Sequence, residues 1–185
     1  MTSAWVHFCQ INQIPPTLAQ ASLEANNMMP ADRAALGEKW IQKPKRSLIL
    51  AGDYGRGKTY FMFALLKGVI EKFGIGVARF FRSKNIDDRI MEETRQYGTA
   101  NYFLKALKEI PLLFIDDFGV ERSTERAERD YFELIDDRVA WNRPTIVSTN
   151  LEDIEIKNYF GGRIHSRLKQ SLRIDFEGKD LRGEL

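Results

Sequence analysis

One octapeptide constrains this 185-residue chain more than any other feature. Gly52-Asp53-Tyr54-Gly55-Arg56-Gly57-Lys58-Thr59 fits G-x-x-x-x-G-K-[ST] and stands between a short apolar run, Leu48-Ile49-Leu50, and an apolar segment from Thr59 to Phe73. A strand, a glycine-rich turn and a helix in that order let backbone N–H groups turn inward around phosphates at a helix N-terminus. Lys58 then offers a cation to the β- and γ-phosphates, and the Thr59 hydroxyl offers a ligand to Mg²⁺. The octapeptide and the adjoining Tyr60 are thus candidate contacts of a bound nucleotide, with ATP and Mg²⁺ as the expected cofactors. The bland alternative is a glycine-rich turn with an incidental lysine; the agreement of both flanking segments weighs against it.

A second segment, Leu112-Leu113-Phe114-Ile115-Asp116-Asp117, reads as an apolar strand that delivers two carboxylates at its carboxyl end, where open α/β sheets bind ligands. Beside a P-loop, Asp116 would hold Mg²⁺ and Asp117 would orient and polarise the attacking water. Taken alone, the pair is equally a strand-end turn. Many such ATPases carry Glu at the second position. Asp117 reaches one methylene less far, which points to hydrolysis that is slow or partner-dependent. A third apolar run, Thr145 to Thr149, ends in Asn150, whose amide is either a γ-phosphate or water ligand or a helix-cap or turn residue.

The chain from residue 46 onward alternates strand-like and helix-like text. Strands are expected at Leu48–Leu50, Gly76–Phe81, Pro111–Ile115, Thr145–Thr149 and Leu172–Phe176. Helices are expected at Thr59–Phe73, Ser83–Tyr97, Asn101–Glu109, Thr124–Ala140 and around Ile164–Lys169. This rhythm predicts an α/β fold with a largely parallel sheet and helices on both faces. The helix from Thr59 is apolar nearly all round and should be covered on two sides. Residues 1–45 look different: Pro15-Pro16, Asn26-Asn27, Pro30 and Pro44 interrupt regular structure, so an irregular N-terminal arm is expected, with one helix over Ala31–Ile41.

Composition narrows the classes further. With 28 Lys and Arg against 26 Asp and Glu, the net charge of +2 is too small for whole-protein attraction to a polyanion, so any nucleic-acid contact must be local. A single cysteine, Cys9, forms no internal disulfide, which fits a reducing compartment. The first twenty residues do not read as a secretory signal, and the longest apolar run, Tyr60–Leu66, is far short of a membrane span, so a cytoplasmic protein is expected.

Four segments, in order and spacing, carry a family resemblance: Ile14-Pro15-Pro16-Thr17-Leu18-Ala19-Gln20-Ala21-Ser22-Leu23, the P-loop, Leu113-Phe114-Ile115-Asp116-Asp117-Phe118-Gly119, and Arg143-Pro144-Thr145-Ile146-Val147-Ser148-Thr149-Asn150-Leu151. Across residues 11 to 182 the chain resembles the bacterial helicase loaders of the DnaC/DnaI type, a group that includes the transposition ATPase IstB. The resemblance implies an AAA+ P-loop NTPase, a three-layer αβα core at residues 46–185 with a five-stranded parallel sheet. It also implies that the Asn150 strand lies between the P-loop strand and the Asp116 strand, with Asn150 as sensor 1. Gly162-Arg163-Ile164-His165-Ser166-Arg167-Leu168 looks like the arginine-finger segment of loaders and of the initiator DnaA, making Arg167 the finger and Arg163 the runner-up. Without the match these two are an i, i+4 pair on a solvated helix face. Arg182 is implied as a sensor 2 residue.

By the same resemblance the protein would load a replicative hexameric DNA helicase onto single-stranded DNA and associate with itself through the finger. Loaders carry a helicase-binding domain ahead of the ATPase core, whereas only about 45 residues precede it here, and little or no C-terminal lid is expected after Arg182. Trp5, Val6 and Phe8 are either anchors for a partner or part of the protein's own core. Two segments lack acids, Arg79–Lys84 and Gly161–Ile174, and either could meet phosphates. The helix after the first has balanced charge, like an ordinary solvated face. Rival functions are an IstB-like helper of a DNA transposase, a small P-loop kinase and a nucleotide-binding module without hydrolysis. A strand between the P-loop strand and the Asp116 strand would argue against the kinase.

Overall fold

The computed structural model describes residues 2–26, 28–119 and 125–181. Five parallel strands, β1 (Leu48–Ala51), β2 (Ala78–Arg82), β3 (Leu112–Asp116), β4 (Thr145–Thr149) and β5 (Leu172–Asp175), form one sheet in the order β2-β3-β4-β1-β5. β4 therefore separates the P-loop strand from the carboxylate strand, with Ala51 beside Thr149 and Ile115 beside Val147. The inner strands β1 and β3 read as apolar runs because both sheet faces are covered there, while the edge strands β2 and β5 carry arginines. Leu48, Leu50, Phe114 and Ile146 face one hydrophobic cluster; Ile49, Ala51, Leu113, Ile115 and Val147 face the other.

α4 (Lys58–Phe73) covers the first face, and α5 (Ser83–Tyr97), α6 (Asn101–Glu109), α7 (Glu125–Ala140) and α8 (Asp153–Leu168) cover the second. This is the expected three-layer arrangement. Two boundaries move. A 3-10 turn at Ile75–Val77 delays β2 to residue 78, and the last helix begins eleven residues earlier than the expected stretch at Ile164, kinked where Gly161 takes φ 79°. A reciprocal cap, in which the Glu152 and Glu155 side chains bond each other's backbone N–H groups, starts that helix.

The N-terminal segment holds the expected helix, α3 (Ala31–Gln42), and two that were not expected, α1 (Ser3–Ile11) and α2 (Pro16–Ala19). Helices this short are marginal on their own in water. They form here because α4 is apolar on its outer side as well, and the arm supplies its cover. Trp5 and Phe8 are 0% and 1% exposed and stack with ring centroids 5.6 Å apart, and the Trp5 indole donates to the Ala19 carbonyl at 2.8 Å. Trp5 and Phe8 thus belong to the protein's own core, while Val6 points outward at 38% exposure. The change of sequence texture near residue 45 is not a boundary of packing, since one cluster spans both sides of it.

Candidate nucleotide-binding site

β1 runs into a turn that only glycine can make at its first position. Gly52 has φ 141°, and a Cβ there would stand 2.3 Å from the Phe176 carbonyl oxygen. The loop closes at Gly57, φ 85°, which begins α4. Lys58 is buried, and its ammonium donates to the carbonyls of Gly52 at 2.6 Å and Asp53 at 2.7 Å, so the charge is held inside the loop. The Thr59 hydroxyl lies 3.1 Å from both carboxylate oxygens of Asp116, 57 residues away in sequence. Arg56 is ion-paired with Asp53 at 3.7 Å.

The two carboxylates are treated differently. Asp116 is 2% exposed. Burial pushes its carboxyl above the ordinary carboxylate range, and the charge of Asp117 adds to this, while hydrogen bonds from Ser148 and Thr59 and the charge of Arg82 act against it. Asp117 is exposed and sits in the left-handed region at φ 57°. That backbone is held from β4: the Asp117 N–H donates to Ser148 Oγ at 3.0 Å, the Phe118 N–H to the Ser148 carbonyl at 2.8 Å, and Thr149 Oγ1 to the Phe118 carbonyl at 2.7 Å. Ser148 Oγ in turn donates to Asp116. Ser148 and Thr149 thus hold the Asp116-Asp117 turn, a part that the sequence analysis does not assign to them. Their only signal was a pair of small hydroxyls closing an otherwise apolar strand.

Asn150 follows at the tip of β4 and lines the same cleft as Gly55, Gly57, Lys58, Thr59 and Asp117. Its Nδ2 is buried and has no hydrogen-bond partner among the described residues. An unsatisfied buried donor costs about 1–3 kcal/mol, so an anionic oxygen in this cleft fits it. The Thr59 hydroxyl and Asp116 carboxylate are adjacent hard oxygen donors of the kind Mg²⁺ takes together with phosphate oxygens. The residues present therefore fit Mg²⁺ and a nucleoside triphosphate. The same cleft is lined by Leu18 and Met28 of the N-terminal segment, by Tyr54, Arg56 and Tyr60, and by Leu181, whose N–H donates to the Gly55 carbonyl at 2.8 Å.

The arginines do not join this site. Arg167, in the last turn of α8, is ion-paired with Asp136 of α7 and borders a depression with Ser47 and Ser171 at the amino end of the sheet, opposite the P-loop. Arg163 lies over the Phe132 ring, 5.6 Å from its centroid. Arg182 lies outside the described residues. In the acid-free segments, Arg79 donates to the Ile75 and Ala78 carbonyls, and Arg173 pairs with Asp153 at 3.0 Å and Asp175 at 2.8 Å. Both segments thus spend cations on their own chain. No helix among the described residues is long and apolar enough to cross a membrane.

Residues 21–168 match the family described as IstB-like ATP binding protein. A protein of insertion sequence IS1162 from Pseudomonas fluorescens is 33% identical over 115 residues, covering 60% of this chain and 46% of that protein. The replicative helicase loader DnaI of Bacillus subtilis is 27% identical over 122 residues, 62% of this chain and 36% of the loader. The chain thus spans less than half the length of either relative. Among solved structures, the DnaC helicase loader superposes with a TM-score of 0.76 at 22% identity, over 88% of this chain and 100% of that one. At that identity the likeness shows the fold alone.

Proposed function

We propose, from the premise that this chain belongs to the family of IstB-like ATP-binding proteins, that it is an ATP-hydrolysing loader of a replicative DNA helicase onto single-stranded DNA. The observation that carries the nucleotide part is the convergence of Lys58, Thr59, Asp116, Asp117 and the unpartnered Asn150 amide on one cleft at the carboxyl end of the sheet. In this reading the Gly52–Tyr60 loop cradles the phosphates, and Thr59 and Asp116 hold Mg²⁺, which supplies charge neutralisation when bound. Asp117 orients and activates water, and Asn150 donates to the γ-phosphate.

Arg167 stands at the far end of the sheet from its own P-loop, so any action on nucleotide is on a neighbour's. That supports self-association with Arg167, or Arg163 one turn earlier, as a finger in trans. The likeness to DnaI favours a helicase as partner. A second reading, a helper of a DNA transposase, is favoured by the match to an insertion-sequence protein at higher identity.

Co-elution of the full chain with the host's replicative helicase on a sizing column, with ATP, with ADP and without nucleotide, separates the two. A shared peak that depends on ATP and is lost in Lys58→Ala supports the loader. Absence of a complex in every condition, with co-elution of transposase instead, overturns it in favour of the second reading.

A further inference from the structure

The cleft combines charged and hydroxyl groups, Arg56 among them, with an apolar part. Leu18, Met28 and Leu181 wall it, and the Met28 carbonyl oxygen lies 3.7 Å from where a Cβ on Gly57 would stand. An apolar slot suits the faces of a planar base, and a carbonyl in its wall reads the base edge. An acceptor favours the exocyclic amine of adenine and opposes the 6-oxo group of guanine.

What fixes Met28 there is Asn26. Its backbone N–H donates to the Met29 carbonyl at 2.9 Å, and its own carbonyl accepts from the Met29 N–H at 3.0 Å. Its side-chain Oδ1 accepts from the N–H groups of Met28 at 2.8 Å and Met29 at 3.0 Å. Met29 is 0% exposed and ties the turn into the core cluster beneath α4. Residue 28 is thus held on one side by the amide acceptor of Asn26 and on the other by a buried anchor.

We infer that Asn26 is the positioning residue for the base end of the nucleotide, holding the Met28 carbonyl against the P-loop so that the site prefers adenine to guanine. This rests on the nucleotide-binding reading above and adds a residue that touches no phosphate.

The test is a titration of the full chain with ribose-labelled fluorescent ATP and GTP, and a competition with inorganic tripolyphosphate, for wild type, Asn26→Ala and Asn26→Asp. Thermal unfolding is followed in parallel. Asn26→Ala should weaken ATP binding about tenfold, as the loss of one to two hydrogen bonds allows, and narrow the ATP-to-GTP preference, while tripolyphosphate competes as before. Asn26→Asp keeps the acceptor and should restore most of the affinity. Should the alanine chain not fold, Asn26→Ser, a shorter acceptor, should show the same base-specific loss in smaller measure. Wild-type affinity in Asn26→Ala, or an equal loss of ATP and tripolyphosphate, overturns the inference alone. A wild-type chain that binds neither overturns the nucleotide reading along with it.

Discussion

The two ends of the sheet handle buried polar groups in opposite ways. At the amino end, Arg138 is 1% exposed, and its guanidinium donates to the carbonyls of Leu107, Ile110 and Pro144, each at 2.7 Å, and to Thr145 Oγ1 at 2.8 Å. Burial, with the charge of Arg143 added, pushes its pKa down to about 9. The guanidinium nonetheless has an acceptor for each of its nitrogens, and it ties the loop before β3 to the start of β4. At the carboxyl end, Asn150 Nδ2 has no partner among the described residues, Lys58 rests on loop carbonyls, and Asp117 holds a left-handed backbone. Polar groups whose hydrogen bonds are met within the chain build the scaffold; the buried Asn150 donor fits a ligand.

This contrast can be broken from either side. The largest effect is expected from Arg138→Met, which leaves several buried carbonyls without donors. Stability should fall by about 3–5 kcal/mol, measured by denaturant unfolding, while ATP affinity below the unfolding transition stays within about twofold. A large loss of affinity in the folded variant would show that the two ends are not separable.

Ser148→Ala should come next, because it removes both the donor to Asp116 and the acceptor for the Asp117 N–H. ATP turnover is expected to drop about tenfold, equivalent to about 1.4 kcal/mol in the barrier, with a smaller change in ATP affinity. Unchanged turnover would mean that the β4 hydroxyl does not position the carboxylates.

The smallest effect is a pH dependence. Burial raises the folded pKa of Asp116 above its unfolded value. The stability linked to this group in the nucleotide-free protein is therefore fully present below the ordinary carboxylate range, and it is lost as pH rises through the raised value. Mg²⁺-dependent nucleotide binding needs the carboxylate and runs in the other sense, weakening as pH falls through the same value. Thermal unfolding and Mg²⁺ titrations from about pH 4 to 7 should show the two opposed slopes in wild type and neither in Asp116→Asn.

Much of this molecule was legible before its coordinates. The P-loop, the Asp116-Asp117 strand end and the five strands are local patterns in which residue type and spacing dictate geometry, and apart from the delayed start of β2 they appear where expected. The N-terminal segment was not legible in the same way. Its prolines and asparagines do interrupt it and α3 lies where expected, yet α1 and α2 also form because α4 offers an apolar outer face, and that partner lies dozens of residues downstream. For the same reason Trp5 and Phe8 could be read from sequence either as anchors for a partner or as core.

The sequence by itself determined the α/β class, the phosphate loop and the identity of its cation and carboxylates, because glycine conformation, charge and apolar periodicity act over a few residues. Only the tertiary structure decided that Ser148 bridges the two aspartates, that Asn150 is left with a free donor and that Arg167 faces away from its own loop. It also decided that Asn26 and Leu181, 155 residues apart, meet at one cleft through Met28. Those facts depend on strand order and helix packing. They are set by which buried surfaces the whole chain can cover at once, and no local pattern encodes them.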